Sequence, residues 1–370
     1  MKRVFRSIDA SDVRWYGLGT EGALRCRCRN GPLERRSNPR LPSCRRPNCL
    51  WQHCCVSSNV IFSNSRLKAS ELSPGTHHFI GKIFKDAGFP PGVCNVIQHR
   101  REDAPGVVEQ LIAHPATRKI NFTGSTPVGS IIAKLAGQHL KPVLLELGGK
   151  APQIVLEDAD LEKAAQTAVI GAWAHVTPLW ECANWKQGQI CMSTERIIVQ
   201  RSVADKFREA LLNTAKNLAG MSGPNAMEST VTKVQSLVDD AIKKGAKLAF
   251  GENKLKSGKQ HLNQMLVANV TPNMDIYHTE TFGPVSTLIE VDTIEEAIQV
   301  ANDTEYGLSA SIFSKDLSKA IQIARRIESG AVHINGNTVH DENSLPHGGL
   351  SLLYVANGRM EEIWLWTIRI

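Results

Sequence analysis

At 370 residues and 42% hydrophobic content, the chain is too long for one compact unit and long enough to bury a large core, so two domains are expected. No run of about 18 apolar residues occurs, which argues against a membrane-spanning helix. The net charge of +7 would point to an anionic partner if it were spread over one face, but eleven arginines lie within the first 46 residues and the remainder is near neutral, so no nucleic-acid or membrane partner is expected.

The start, MKRVFRSIDASDVRW, is basic but lacks the apolar core of a secretion signal and carries Asp9 and Asp12; a cytoplasmic location is the expectation. Six of the nine cysteines (Cys26, Cys28, Cys44, Cys49, Cys54 and Cys55) fall in the first 55 residues. The stretch PNCLWQHCC invites a zinc reading, yet its spacing fits no paired Cys-x-x-Cys pattern. No metal is expected, and residues 1–66 read as a compositionally foreign, poorly ordered segment.

From Leu67 onward the pattern becomes regular. PGTHHFIGKIFKDAG has helical periodicity and stops at Gly88, before the Pro90-Pro91-Gly92 turn. VCNVIQ predicts a strand, VVEQLIAH a helix, KINFTG a strand, SIIAKLAGQHL a helix, and KPVLLELGG a strand that runs into glycines. DADLEKAAQTAVIGAW then predicts a helix, ERIIVQ a strand, and DKFREALLNTAKNLA an amphipathic helix. Further helices are predicted at STVTKVQSLVDDAIKKG, IEEAIQVANDT and LSKAIQIARRIESG, with strands at STLIEVD, SASIFS and AVHIN. This alternation is that of a parallel sheet with crossover helices, α/β throughout.

Four stretches carry chemistry. In NFTGST, Gly124 and Ser125 stand between a strand and a helix, where a glycine turn and helix N-terminal amides suit a phosphate, although a plain strand-to-helix turn fits as well. In LLELGGKAP, Glu146 lies in an apolar strand beside a diglycine. It is either a desolvated base or a carboxylate paired with a buried lysine or arginine. In GQICMSTER, Cys191 lies in a polar loop just before a strand, and a thiol there is either a nucleophile or inert packing. ETFGP contributes Glu280 and Phe282.

Taken together and in this order, FTGST, LELGGKAP, GQIC and ETFGP closely resemble the aldehyde dehydrogenase family. KASELSP, FPPGVCNVI and VHINGNTVHDENSLPHGG extend the resemblance over residues 67–349. The last of these, with GQICMSTERIIV, looks most like the vanillin and salicylaldehyde dehydrogenase branch. The resemblance implies a Rossmann-type parallel-sheet cofactor domain, truncated at its start (residues 67–148), and an α/β catalytic domain (residues 149–349). It implies an oxidoreductase that oxidises a small-molecule aldehyde, an aromatic one within this branch, to the acid. Cys191 would be the nucleophile and Glu146 the general base. Lys68, Ser70 and Glu71 would hold the adenosine ribose, with Glu71 favouring NAD over NADP. Gly124 and Ser125 would meet the cofactor phosphates, and Leu147, Glu280 and Phe282 the nicotinamide end.

The sequence also departs from the family. No Pro-Trp-Asn segment, which in the family supplies an oxyanion-hole asparagine, occurs before Lys68. Read one base later, the codons of residues 25–55 permit segments resembling the missing ones, Gly-Asn-Thr-Ala among them, so residues 24–55 read as a frame-shifted translation. VSSNVIFSNSR and HVTPLWECANWK read as retained introns, the second lying just ahead of Cys191. Residues 350–370 replace the lysine- and glycine-rich tail that pairs subunits in the family, so the homo-oligomer it implies is not expected to carry over. An active dehydrogenase and a catalytically impaired remnant therefore both remain open.

Overall fold

In the computed structural model, the structure describes residues 14–17, 24–27, 65–173, 188–218, 227–257, 261–341, 347–349 and 367–369. Most of the frame-shifted segment, the first insert apart from Ser65 and Arg66, the whole second insert and most of the altered tail lie outside the described residues. The chain divides into two compact units, residues 1–121 and 122–370.

In the first unit, β1 (Arg14–Gly17) and β2 (Leu24–Arg27) pair antiparallel. β3 (Ser65–Lys68) and β4 (Cys94–Ile97) pair in parallel, with Leu67 opposite Val96, and are joined through α1 (Pro74–Asp86). Pro74 opens α1, where a missing N–H costs nothing. The helix ends ahead of Gly88, whose φ of +85° suits glycine. The Asn95 side-chain amide donates to the carbonyls of Gly92 (2.7 Å) and Ser65 (3.2 Å), which locks β4 to β3. α2 (Ala104–Ala113) follows.

The second unit starts with β5, whose residues Ile120–Thr123 lead into it, α3 (Thr126–Gln138) and β6 (Val143–Glu146); β5 and β6 form a two-stranded sheet. The elements that follow are β7 (Ala151–Val155), α4 (Leu161–Trp173), β8 (Thr194–Gln200), α5 (Ala204–Leu218), α6 (Glu228–Lys243), β9 (Lys247–Phe250), β10 (Leu255–Ser257) and β11 (His261–Leu262). The chain continues through β12 (Met265–Ala268), α7 (Asp275–His278), β13 (Val285–Val291), α8 (Ile294–Asn302), β14 (Ser309–Phe313), α9 (Leu317–Ala324), β15 (Ala331–Ile334) and β16 (Thr367–Arg369). Eight of these strands form one sheet in the order β16-β15-β14-β7-β8-β13-β12-β9. All neighbours are parallel except β9, which closes one edge antiparallel to β12.

A parallel sheet is covered on both faces, so its strands read as near-continuous apolar runs. In β8, Ile197 and Val199 point to one core, with Phe207 and Leu211 of α5, Ala168 of α4 and Phe313 of β14. Ile198 points to the other, with Val234 and Val238 of α6, Ile298 of α8 and Ile323 of α9. Each fully buried side chain of this size contributes roughly 1.5–3 kcal/mol.

Arg196, also in β8, is fully buried. Its guanidinium donates to the carbonyls of Lys150 (3.2 Å), Val300 (2.8 Å), Ala301 (2.8 Å) and Asp303 (3.2 Å). These include carbonyls at the C-terminal end of α8, which a helix cannot satisfy internally. Burial pulls its pKa to about 10, still charged at neutral pH.

Two features differ from the sequence expectation. β7 is a central strand over APQIV, where the sequence pattern predicts none; the chain tolerates Pro152 there through a register shift between Ala151 and Pro152. The helix predicted over LSKAIQIARRIESG stops at Ala324 and leaves Arg325 to Gly330 outside it.

Candidate active site

β7, β8 and β13 are adjacent and parallel, so the loops that feed them emerge at one edge of the sheet. Those loops are the diglycine turn Gly148-Gly149, the Cys191 loop and the Glu280–Pro284 turn. The convergence of three quoted stretches follows from strand order alone.

Glu146 ends β6, and its backbone carbonyl accepts the Gly124 N–H at 3.0 Å. Gly124 and Glu146 are thereby held together. Ser125 stands in extended conformation at the start of α3 and its side chain makes no capping bond. Leu147 is buried and packs under Gly129, where a Cβ would come within 2.5 Å of Leu147 Cδ2.

The diglycine is where the site closes. A Cβ at Gly148 would lie 2.5 Å from Glu280 Oε2, and the Gly149 N–H donates to Glu280 Oε1 at 2.8 Å. A Cβ at Gly149 would collide with the Cys191 carbonyl oxygen. Only glycine lets a carboxylate and a second backbone approach this closely. Gly149→Ala is expected to displace the Cys191 loop and lower any Cys191-dependent turnover by about 10²-fold, as an ångström-scale misplacement does. Steady-state assay beside a thermal melt checks this, since a drop in stability without a drop in turnover would contradict it.

Cys191 is half-buried in a turn whose Ser193 N–H donates to the Ile190 carbonyl at 2.9 Å. Gly188, at φ +68°, lets the loop pass tightly against the carbonyls of Gly283 and Ala172.

Behind these residues lies a buried ion pair. Lys150 Nζ donates to Glu195 Oε2 and to the Thr279 carbonyl, both at 2.7 Å. The Glu195 carboxylate accepts the N–H groups of Thr281 (2.8 Å) and Phe282 (3.0 Å). Glu195 therefore fixes the turn that presents Glu280 and holds Phe282 at φ +50°. Burial pushes the Lys150 pKa down, against the pull of Glu195. Burial, with the Glu195 charge beside it, pushes Glu280 up to about 7, while the Gly149 N–H opposes the rise.

Among the described residues, Glu146 is not paired with a lysine or arginine. The side chain is partly exposed, and its Oε2 lies 3.5 Å from His347 Nε2. The buried carboxylate paired with lysine is Glu195. The fold thus brings together Gly124, Ser125, Glu146, Leu147, Cys191, Glu280 and Phe282 in the second unit. Sequence reasoning passed over Lys150 and Glu195, although both stood inside the quoted stretches, and over His347.

Lys68, Ser70 and Glu71 belong to the first unit. Lys68 Nζ lies 3.6 Å from Glu71 Oε2, and Ser70 Oγ accepts the Leu72 N–H at 3.2 Å. A main-chain N–H in its own residue, then the charges of Lys68 and His99, hold the Glu71 carboxyl below the usual range despite some desolvation.

A loop thiol, two carboxylates and a diglycine stand at the entry to the central strands of a parallel sheet covered on both faces, an α/β architecture. The aldehyde dehydrogenase family model matches residues 62–354, and the chain belongs to that family, with its α/β fold. It is 48% identical over 293 residues to a vanillin dehydrogenase of Pseudomonas sp. (strain HR199 / DSM 7063), covering 77% of this chain and 58% of that protein. It is 41% identical over 291 residues to a salicylaldehyde dehydrogenase of Pseudomonas sp. (strain C18), covering 76% and 57%. The chain thus spans just under three fifths of the curated relatives it matches.

Among solved structures, a salicylaldehyde dehydrogenase from Pseudomonas putida G7, complexed with salicylaldehyde, superposes with a TM-score of 0.72 at 39% identity, covering 80% of this chain and 60% of that one. A succinic semialdehyde dehydrogenase from Streptococcus pyogenes, in complex with NADP+, superposes with a TM-score of 0.70 at 29% identity, covering 78% and 62%. Among the described residues, no helix is long and apolar enough to cross a membrane.

Proposed function

We propose that this chain is built for NAD-dependent oxidation of an aromatic aldehyde to its carboxylic acid through a covalent Cys191 intermediate. The observation that carries the reading is the diglycine: the Cys191 backbone and the Glu280 carboxylate both rest against Gly148 and Gly149, which follow Glu146 and Leu147 in the chain. Vanillin and salicylaldehyde dehydrogenases as relatives support the aromatic substrate class.

The residues present fit a nicotinamide dinucleotide. α3, 13 residues long, begins behind Gly124 with no side chain of Ser125 on its first-turn amides, which suits a phosphate. Glu280, half-buried and anchored by the Gly149 N–H, suits a ribose hydroxyl, and Phe282 and Leu147 an aromatic ring. Lys68, Ser70 and Glu71 would take the adenosine ribose, and an ionised Glu71 repels a 2′-phosphate, which favours NAD over NADP. Bound NAD supplies the hydride acceptor.

Cys191 attacks the aldehyde carbon as thiolate and gives a thiohemiacetal. Loss of hydride from that carbon, and of the hydroxyl proton, leaves a thioester on Sγ. Glu146 takes a proton from water as it adds to the thioester carbonyl. Collapse then breaks the C–S bond, releases the acid and returns the thiolate. Glu146→Gln is expected to lower turnover by about 10²–10⁴-fold while acylation of Cys191 persists. A pre-steady-state burst of NADH followed by a stalled steady state is the signature; an unchanged steady-state rate would remove Glu146 from this role.

A second reading, a catalytically impaired aldehyde dehydrogenase remnant, rests on the absence of Pro-Trp-Asn before Lys68. Losing one oxyanion donor costs about 10²–10³ in rate, which a kcat measurement separates from the first reading.

A further inference from the structure

His347 lies between two carboxylates. Its Nδ1 is 3.1 Å from Asp341 Oδ2 and its Nε2 is 3.5 Å from Glu146 Oε2. A neutral imidazole has one N–H and one lone pair, so one of its nitrogens would turn a lone pair toward a carboxylate. Only the imidazolium presents N–H to both. Among the described residues, Asp341 and Glu146 are the charged groups that face the ring, one at each nitrogen.

We propose that His347, as an imidazolium braced by Asp341, is a positioning residue for Glu146, setting the direction of the carboxylate that receives the proton of the hydrolytic water. This rests on the reading of Glu146 as the base. The geometry has the form in which a group oriented by a second is itself oriented by a third, here with the carboxylate as the acting member.

The titration of the ring agrees. Hydrogen bonds to Asp341 and then Glu146 raise the His347 pKa to about 10, against the opposing effect of burial. The folded value lies above the unfolded one of about 6.5. The pairing therefore contributes stability in full below that pH and loses it as pH rises through about 10.

The test uses the full chain with p-nitrophenyl acetate, which needs no cofactor. The Cys191 thiolate displaces p-nitrophenolate and forms an acetyl thioester, and water then releases acetate. The nitrophenolate burst reports acylation and the steady rate reports hydrolysis. His347→Phe should leave the burst intact and slow hydrolysis by about 10- to 100-fold. His347→Lys, which keeps a cation, should recover part of it, and Asp341→Asn should show a smaller loss of the same kind.

In parallel, ring NMR of the native chain should find His347 charged at pH 8, with a midpoint that falls in Asp341→Asn and in Glu146→Gln. A ring neutral at pH 8 overturns the proposal. So does native hydrolysis in His347→Phe, or in Asp341→Asn should the former fail to fold, where Glu146→Gln has lost it. Glu146→Gln with undiminished hydrolysis instead overturns the base reading beneath it. If the chain hydrolyses no ester, the ring titration decides alone.

Discussion

Replacing Cys191 by serine is expected to abolish aldehyde-dependent NADH formation, by about 10³-fold or more, with no loss of folded protein. A serine hydroxyl stays protonated at neutral pH where a thiol is partly ionised and more nucleophilic, and removing a nucleophile costs several orders of magnitude in rate. The fold should not notice, because the part of Cys191 packed against Gly149 is its backbone carbonyl. Absorbance at the NADH band, read beside a thermal melt, checks both halves. Retained turnover in the serine variant would end the covalent mechanism for this chain.

The largest stability effect is expected at Lys150. Its ammonium is fully buried against Glu195, and removing one member of a buried pair strands the other, at a cost of about 3–5 kcal/mol. Lys150→Met should lower the unfolding free energy by about that amount in denaturant titration. Changing both residues, Lys150→Met with Glu195→Met, should cost less than the two single losses summed, because no charge is left uncompensated. Additive losses would show that the pair acts as two independent groups. Since Glu195 also carries the N–H groups of Thr281 and Phe282, the single variant should loosen the turn bearing Glu280.

The parallel α/β character was legible because buried strands such as RIIVQ and ASIF are continuous apolar runs, and helices such as α6 carry one apolar face. β7 was not legible, since Pro152 disguises it and the register shift that accommodates it is set by its neighbours. β9 and β12 passed unnoticed too, because KLAF and MLVA are short and lie between turns. The candidate site was legible as four stretches but not as a geometry. Lys150 meets Glu195 across 45 residues, and His347 meets Glu146 only through the folded chain; no local pattern encodes either pair. The diglycine could be read as punctuation, and its use as a contact surface for Cys191 and Glu280 required the strand order.

The most direct test of the account is the intact mass of the full-length Glu146→Gln chain after mixing with NAD and vanillin, followed by mapping of the modified peptide. The account predicts an adduct equal to the aldehyde less two hydrogens, on Cys191, formed together with one equivalent of NADH. A folded chain that gains no such mass, or gains it on another residue, would contradict it.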